Sequence, residues 1–286
     1  MNFKLPDFDL TKHRVVYAGD RPRYATATAA SFVDNNTILV ASYLNKKIYL
    51  IDITDNTFNI LSEVSTPHYP DLMDYKDGVI ITTNRTDGDF NPGGISVYNL
   101  IGNEMLYKKT IIIDRLNQLH GCRVIDEKNF IITNTTNNER GVYTLNYDTE
   151  KTQFFNDFEY FPKDVWVYDD RVLIISSHSR PSGTGKVEIT NSYMYLYEFP
   201  SYKKIDELLF YGQTDSLTYH NGDGFITLQG QDSLLHFKIN NDKIENVKLI
   251  DGFNFPHGVA SNGEKLIVTN YGDNSIDILS LSDLIS

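Results

Sequence analysis

Val259-Ala260-Ser261-Asn262-Gly263-Glu264-Lys265-Leu266-Ile267-Val268-Thr269-Asn270 reads as a strand, a turn and a second strand. Asn262-Gly263-Glu264 supplies the turn, and Leu266-Ile267-Val268 is an apolar strand core. The same kind of core occurs upstream as Ile38-Leu39-Val40, Val79-Ile80-Ile81, Phe130-Ile131-Ile132, Val172-Leu173-Ile174 and Phe225-Ile226-Thr227. Counted from the third residue of each, successive cores lie 41, 51, 42, 53 and 41 residues apart. A repeat of this length built from short strands marks a β-propeller blade. The expected fold is all-β: a six-bladed β-propeller with four-stranded blades, in a single domain over residues 1–286.

Each repeat shows four strand-like segments between turn residues. In the third these are Cys122 to Ile125, Phe130 to Asn134, Val142 to Tyr147 and Thr152 to Phe155. The sixth runs out of chain after its third strand, since only Ser282 to Ser286 follow Leu281. A ring must close, because an open sheet edge is a liability. The spare strand-like segment His13-Arg14-Val15-Val16-Tyr17-Ala18 is therefore expected to complete the last blade, with residues 12–19 as its outer strand.

Composition narrows the function. Net charge is −12, which argues against nucleic acid, because phosphate binding needs clustered Lys and Arg. A lone cysteine, Cys122, allows no intrachain disulfide, and its place inside a strand suits a buried structural thiol. The start Met1-Asn2-Phe3-Lys4-Leu5-Pro6-Asp7 has no basic stretch followed by an apolar run, and no segment has the length of a membrane span. The expectation is a cytoplasmic protein without a membrane partner.

Two repeats carry about ten extra residues each between their second and third strands, at residues 84–95 and 177–192. Successive strands run antiparallel, so these loops open on the face where each first strand starts. Long loops of this kind commonly carry binding. Aligning the repeats places Thr28, Asp71, Gly121, Asp164, Asp215 and Gly258 at the starts of the innermost strands. Ala27, Pro70, His120, Lys163, Thr214 and His257 precede them. Blades three apart face each other, so His120 is expected opposite His257, and Asp71 opposite Asp215. Carboxylates at one mouth suit a hard divalent cation, calcium first, with Asp71, Asp164 and Asp215 as ligands. An imidazole beside them can take a proton from water, which gives His120 and His257 the catalytic role. Arg85, His178, Arg180 and Lys163 could hold an anionic group on a ligand. Trp166, Tyr69 and Tyr271 are expected near the same face.

Phe255-Pro256-His257-Gly258 and the stretch that follows it resemble the repeat of YVTN-type propellers. The six-repeat layout resembles the superfamily of SMP-30/gluconolactonase, paraoxonase and strictosidine synthase-like proteins. That resemblance implies a divalent metal at the channel mouth, held by a Glu, Asn residues and an Asp. Only the Asp type matches, at Asp71, Asp164 and Asp215. Arg23-Tyr24-Ala25-Thr26-Ala27-Thr28 has no Glu, and no Asn stands at an inner-strand start.

Two functions stay open on the sequence. One is a small-molecule hydrolase of lactonase or esterase type, metal-assisted, at the channel mouth. The other is a non-catalytic propeller that binds a small ligand or a protein partner on the same face.

Overall fold

A computed structural model describes residues 1–5, 16–18, 21–23, 27–85, 93–116, 118–135, 139–155, 158, 160–177 and 191–286. Six four-stranded antiparallel sheets are arranged as a six-bladed propeller. Blade one is Ala27–Phe32, Thr37–Ser42, Lys47–Asp52 and Asn59–Ser65. Blade two is Tyr69–Lys76, Val79–Arg85, Gly94–Ile101 and Glu104–Ile112. Blade three is Leu119–Val124, Asn129–Asn134, Gly141–Asn146 and Thr152–Phe155. Blade four is Phe161–Tyr168, Arg171–Ser177, Asn191–Glu198 and Lys204–Tyr211. Blade five is Thr214–His220, Asp223–Leu228, Ser233–Asn240 and Lys243–Asp251. Blade six is Pro256–Ser261, Lys265–Asn270 and Ser275–Ser280, with Asn2–Phe3 as its outer strand. The first strands neighbour one another in a closed ring around the axis.

The apolar cores sit in the second strands because those strands are buried on both faces. Ile38 and Val40 pack toward blade six, whereas Leu39 and Ala41 pack toward blade two. Side chains alternate across a strand, so an unbroken apolar run is what a doubly covered strand requires. Six apolar clusters result, each spanning one pair of neighbouring blades. Cys122 is fully buried in one of them, and burial pushes its thiol pKa far up, so it is an inert core group.

The N-terminus does close the ring, but not with the expected segment. Asn2 pairs with Asp277 and Phe3 with Ile276. Phe3 stacks on Phe58 of blade one at 4.7 Å, and Leu5 is buried in the cluster between blades six and one. Val16–Ala18 instead pairs with Arg21–Arg23, a partner only a few residues away, in a local hairpin. A short hairpin costs less chain entropy than docking on a distant edge. Two residues are too few to stand out as a strand in the sequence, which is why Asn2–Phe3 escaped the reading. Residues 12–15 and 19 lie outside the described residues.

Candidate functional site at the channel axis

Each innermost strand begins with an irregularity. The pairing register with the second strand shifts between Ala27 and Ala29, Pro70 and Met73, Leu119 and Cys122, Pro162 and Asp164, Thr214 and Leu217, and Pro256 and Val259. The residues in these bulges include Thr28, Asp71, His120, Lys163, Asp215 and His257, one from each blade. A bulge re-aims a side chain that would otherwise follow the pleat. The axial ring is thus drawn from one position in every blade, and the sequence alignment mixed two positions. It should have put His120, Lys163 and His257 level with Asp71 and Asp215.

A threonine on the second strand holds most of these bulges. Gly121 N–H donates to Thr133 Oγ1 (2.7 Å), whose hydroxyl donates to the Lys163 carbonyl (2.9 Å) in blade four. Ser216 N–H donates to Thr227 Oγ1 (3.0 Å), which donates to the His257 carbonyl (3.1 Å). Thr83 and Thr269 do the same for Leu72 and Gly258, and they donate to the carbonyls of His120 and Thr28. A bulge leaves a buried N–H without its ladder partner, and the hydroxyl satisfies it while tying the bulge to the next blade. The threonine follows the apolar core directly, as in Ile132-Thr133-Asn134 and Val268-Thr269-Asn270. That recurring triplet is the signal that would have set the register.

Four of the six axial side chains converge. His120 Nε2 lies 3.0 Å from Asp215 Oδ1, and His257 Nε2 lies 2.8 Å from Asp215 Oδ2. Asp71 Oδ2 is 4.0 Å from His120 Nε2, and Asp71 Oδ1 is 3.9 Å from His257 Nε2. The two imidazole centroids stand 6.0 Å apart across the axis. Lys163 Nζ is 3.9 Å from Asp215 Oδ1. Gln229, which the sequence did not single out, donates to Asp215 Oδ2 at 2.8 Å, and Tyr271 stacks on His257 at 4.0 Å. All are buried, with His257 at 2% and His120 at 3% exposure.

The far nitrogens decide the protonation. His120 Nδ1 is 2.9 Å from the Lys163 carbonyl, and His257 Nδ1 is 2.7 Å from the Thr28 carbonyl. A carbonyl oxygen only accepts, so both Nδ1 atoms carry the proton. In a neutral imidazole each Nε2 is then a bare lone pair, and both point at one carboxylate. Two lone pairs facing a carboxylate at hydrogen-bond distance repel it. The arrangement is favourable only when each Nε2 holds a proton or when a cation sits among the three groups. Burial opposes ionisation of Asp215, but its charge interactions and hydrogen bonds with His120 and His257 outweigh it and hold its carboxyl well below the usual range. His120, Asp215 and His257 can offer one ligand atom each, all within 4.8 Å of one another.

Asp164, expected as a third carboxylate ligand, is turned away from this cluster. Its Oδ2 accepts from Arg123 Nη2 (2.9 Å), Ser216 Oγ (3.1 Å) and Leu217 N–H (3.0 Å), and its Oδ1 from Val165 N–H (2.8 Å). It stands one residue past the bulge, where the side chain meets the neighbouring blades. Trp166 also lies lower in the channel, with the Arg123 guanidinium 4.6 Å from its ring, and Tyr69 packs on Tyr43. The backbone of Arg85 pairs with Tyr69, at the same end as Asp71. The Arg85 side chain, His178, Arg180 and most of both long loops lie outside the described residues. The group gathered at the axis is two imidazoles and a carboxylate, not the Glu and Asn set that the resemblance implies.

No family model matches the chain, and no curated protein matches it by sequence. Solved structures match its fold. A chain in the crystal structure of a nidogen/laminin complex is 15% identical, with a TM-score of 0.65, covering 87% of this chain and 90% of that one. The PQQ-bound aldose sugar dehydrogenase of Streptomyces coelicolor is 11% identical, with a TM-score of 0.62 and 98% of both chains covered. A luciferin-regenerating enzyme is 13% identical, with a TM-score of 0.60, covering 91% of this chain and 92% of that one. At such identities the likeness is one of fold.

Proposed function

We propose that the axial cluster holds a divalent transition-metal ion through His120, His257 and Asp215 and hydrolyses a small ester or lactone at that end of the channel. One observation carries this reading. Both imidazoles have Nδ1 fixed on a backbone carbonyl, which leaves both Nε2 lone pairs aimed at the same carboxylate. Metal-binding histidines are held in this way, with the second ring nitrogen donating to a carbonyl or carboxylate. Nitrogen donors also favour zinc or iron over calcium, which prefers oxygen. The reading keeps the lactonase or esterase reaction of the SMP-30/gluconolactonase-like superfamily and replaces its ligands.

When bound, the ion supplies a Lewis acid that polarises the scissile carbonyl. The chain supplies the rest. Asp71, beside both imidazoles, is placed to accept the proton of the attacking water. Water oxygen bonds to the acyl carbon, the bond to the leaving alcohol oxygen breaks, and the Asp71 proton passes to that oxygen. The Lys163 ammonium adds positive charge where the oxyanion forms.

The test is metal loading followed by a substrate panel. Chelated protein is titrated with zinc, manganese, iron(II) and calcium by calorimetry, then assayed on lactones and aryl esters. One transition-metal ion per chain is expected. His120→Ala, His257→Ala and Asp215→Asn should each lose the ion, and turnover should follow occupancy. If no transition metal binds, or if binding survives all three variants, the reading is wrong. Bound metal with no turnover of any ester or lactone would leave a ligand-binding propeller.

A further inference from the structure

We propose a second ligand site at the opposite end of the same channel, built for a small organic cation with a hydrogen-bond acceptor next to its charge. A cavity of about 380 Å³ extends there from the level of Ala29, Leu72 and Gly258 to the turns at Asp34, Asn35, Lys76 and Asn262. That volume lies within the range of small-molecule pockets. Phe32, Tyr75 and Trp166 give it aromatic wall, and Ala30, Val124 and Val259 give it aliphatic wall.

Two polar groups in this wall lack full compensation. Arg123 is 7% exposed and spends its Nη atoms on Asp164 and on the carbonyls of Leu217 and Cys122, but its buried Nε–H has no acceptor among the described residues. A buried donor left unpaired is costly, so it marks a place where an acceptor is wanted. Asp74 accepts the Val124 N–H at 2.8 Å, and no cation forms an ion pair with it among the described residues. Arg123 is already committed to Asp164, so an ionised Asp74 leaves the three groups with one excess negative charge. Lys76, at the rim, donates to the Ile125 carbonyl, and the Asp34 carboxylate accepts the Asn36 N–H. His220 completes the rim.

The complementary ligand follows from that charge pattern. An ammonium or amidinium would neutralise Asp74. An adjacent oxygen or nitrogen acceptor would take the Arg123 Nε–H. A compact apolar or aromatic body would lie against Trp166, Tyr75 and Phe32, whose ring faces also attract a cation. An anion is disfavoured, because the one guanidinium already interacts with both Asp164 and Asp74.

2-Amino-1-phenylethanol and phenylalaninol, each an ammonium with a hydroxyl acceptor beside it, are the probes, with benzyl alcohol and benzoate as neutral and anionic counterparts, on chelator-treated protein. Calorimetry and thermal melts should show both cations binding and raising the melting temperature, with little response to the other two. Asp74→Asn keeps the acceptor for Val124 and should weaken cation binding by about tenfold or more. Ala260→Phe, which narrows the cavity, should abolish it. His257→Ala should leave it unchanged, which separates this site from the metal cluster. Failure of both cations to bind at millimolar concentration would overturn the proposal. So would equal binding of benzoate, or undiminished binding by Asp74→Asn and Ala260→Phe.

Discussion

Asp215 and Asp74 are carboxylates in one channel, on inner strands of the same ring, and their surroundings push them in opposite directions. Burial penalises the charge on both. Around Asp215 two imidazoles and their hydrogen bonds reverse the penalty, and the carboxyl is held well below the usual range. Around Asp74 burial outweighs the pull of the Arg123 charge, which is also bonded to Asp164, and the carboxyl is raised. Burial therefore does not decide what a buried acid does; the uncommitted positive charge near it does. One end of the axis is a packed polar cluster that calls for a cation among its own side chains. The other is an open cavity with a carboxylate still lacking one.

The wall between the two ends should give the largest effect. Asp164→Ala strips Arg123 of its partner in a site where the aspartate is 0% and the arginine 7% exposed. Removing one partner of a buried pair typically costs about 3–5 kcal/mol. Urea denaturation should show a loss of that size, while metal binding by the folded fraction persists, because Asp164 faces away from the imidazoles. A loss below about 1 kcal/mol, the scale of an exposed pair, would mean that Arg123 has solvent or another carboxylate to turn to, and the contrast between the ends would collapse.

Asp215→Asn tests the upper end by itself. In metal-free protein the depressed carboxyl contributes stability that is fully present above the ordinary carboxylate pKa and fades only as pH falls through its own lower value. The difference in melting temperature between wild type and Asp215→Asn should thus persist at pH 4 and shrink only in stronger acid. A difference already gone near pH 5 would show that the imidazoles do not protect it. Gln229→Leu removes a 2.8 Å hydrogen bond to the same carboxylate. Bonds to charged groups are worth about 1.5–3 kcal/mol, so a smaller loss in this range is expected from denaturation.

The fold was legible because a doubly covered strand writes itself as an apolar triplet, and six such triplets at blade spacing leave few alternatives. Closure was legible as a need but not as a segment: Asn2–Phe3 is too short to carry a periodic pattern, whereas His13 to Ala18 looks like a strand and finds Arg21–Arg23 instead. The axial residues were named almost completely, since Asp71, His120, Lys163, Asp215 and His257 all reach the ring. Their register was not, because a bulge adds residues without changing the strand pattern, and it moved Asp164 off the axis. The lower cavity left no trace in the reading. Its key residues, Asp74 and Arg123, lie at strand positions that usually face a neighbouring blade, and only the tertiary arrangement shows which charge is left over.

The smallest expected effect has the opposite sign. A carboxyl raised by the fold is comfortable when protonated, so whatever stability it contributes is fully present below the ordinary carboxylate pKa of about 3.9 and is lost as pH rises through its folded value. Above the ordinary carboxylate pKa the ligand-free protein therefore bears a cost at Asp74, either of a buried charge or of holding the carboxyl protonated. Asp74→Asn keeps the shape and the acceptor for the Val124 N–H, and it removes the charge. The variant should melt above wild type at pH 7 and match it below the ordinary carboxylate range. Adding 2-amino-1-phenylethanol to wild type should narrow the gap, since a bound cation does for Asp74 what the substitution does. Melts that place Asp74→Asn below wild type at every pH would show that the carboxylate already has its counter-charge, and the two ends of the channel would then obey the same rule.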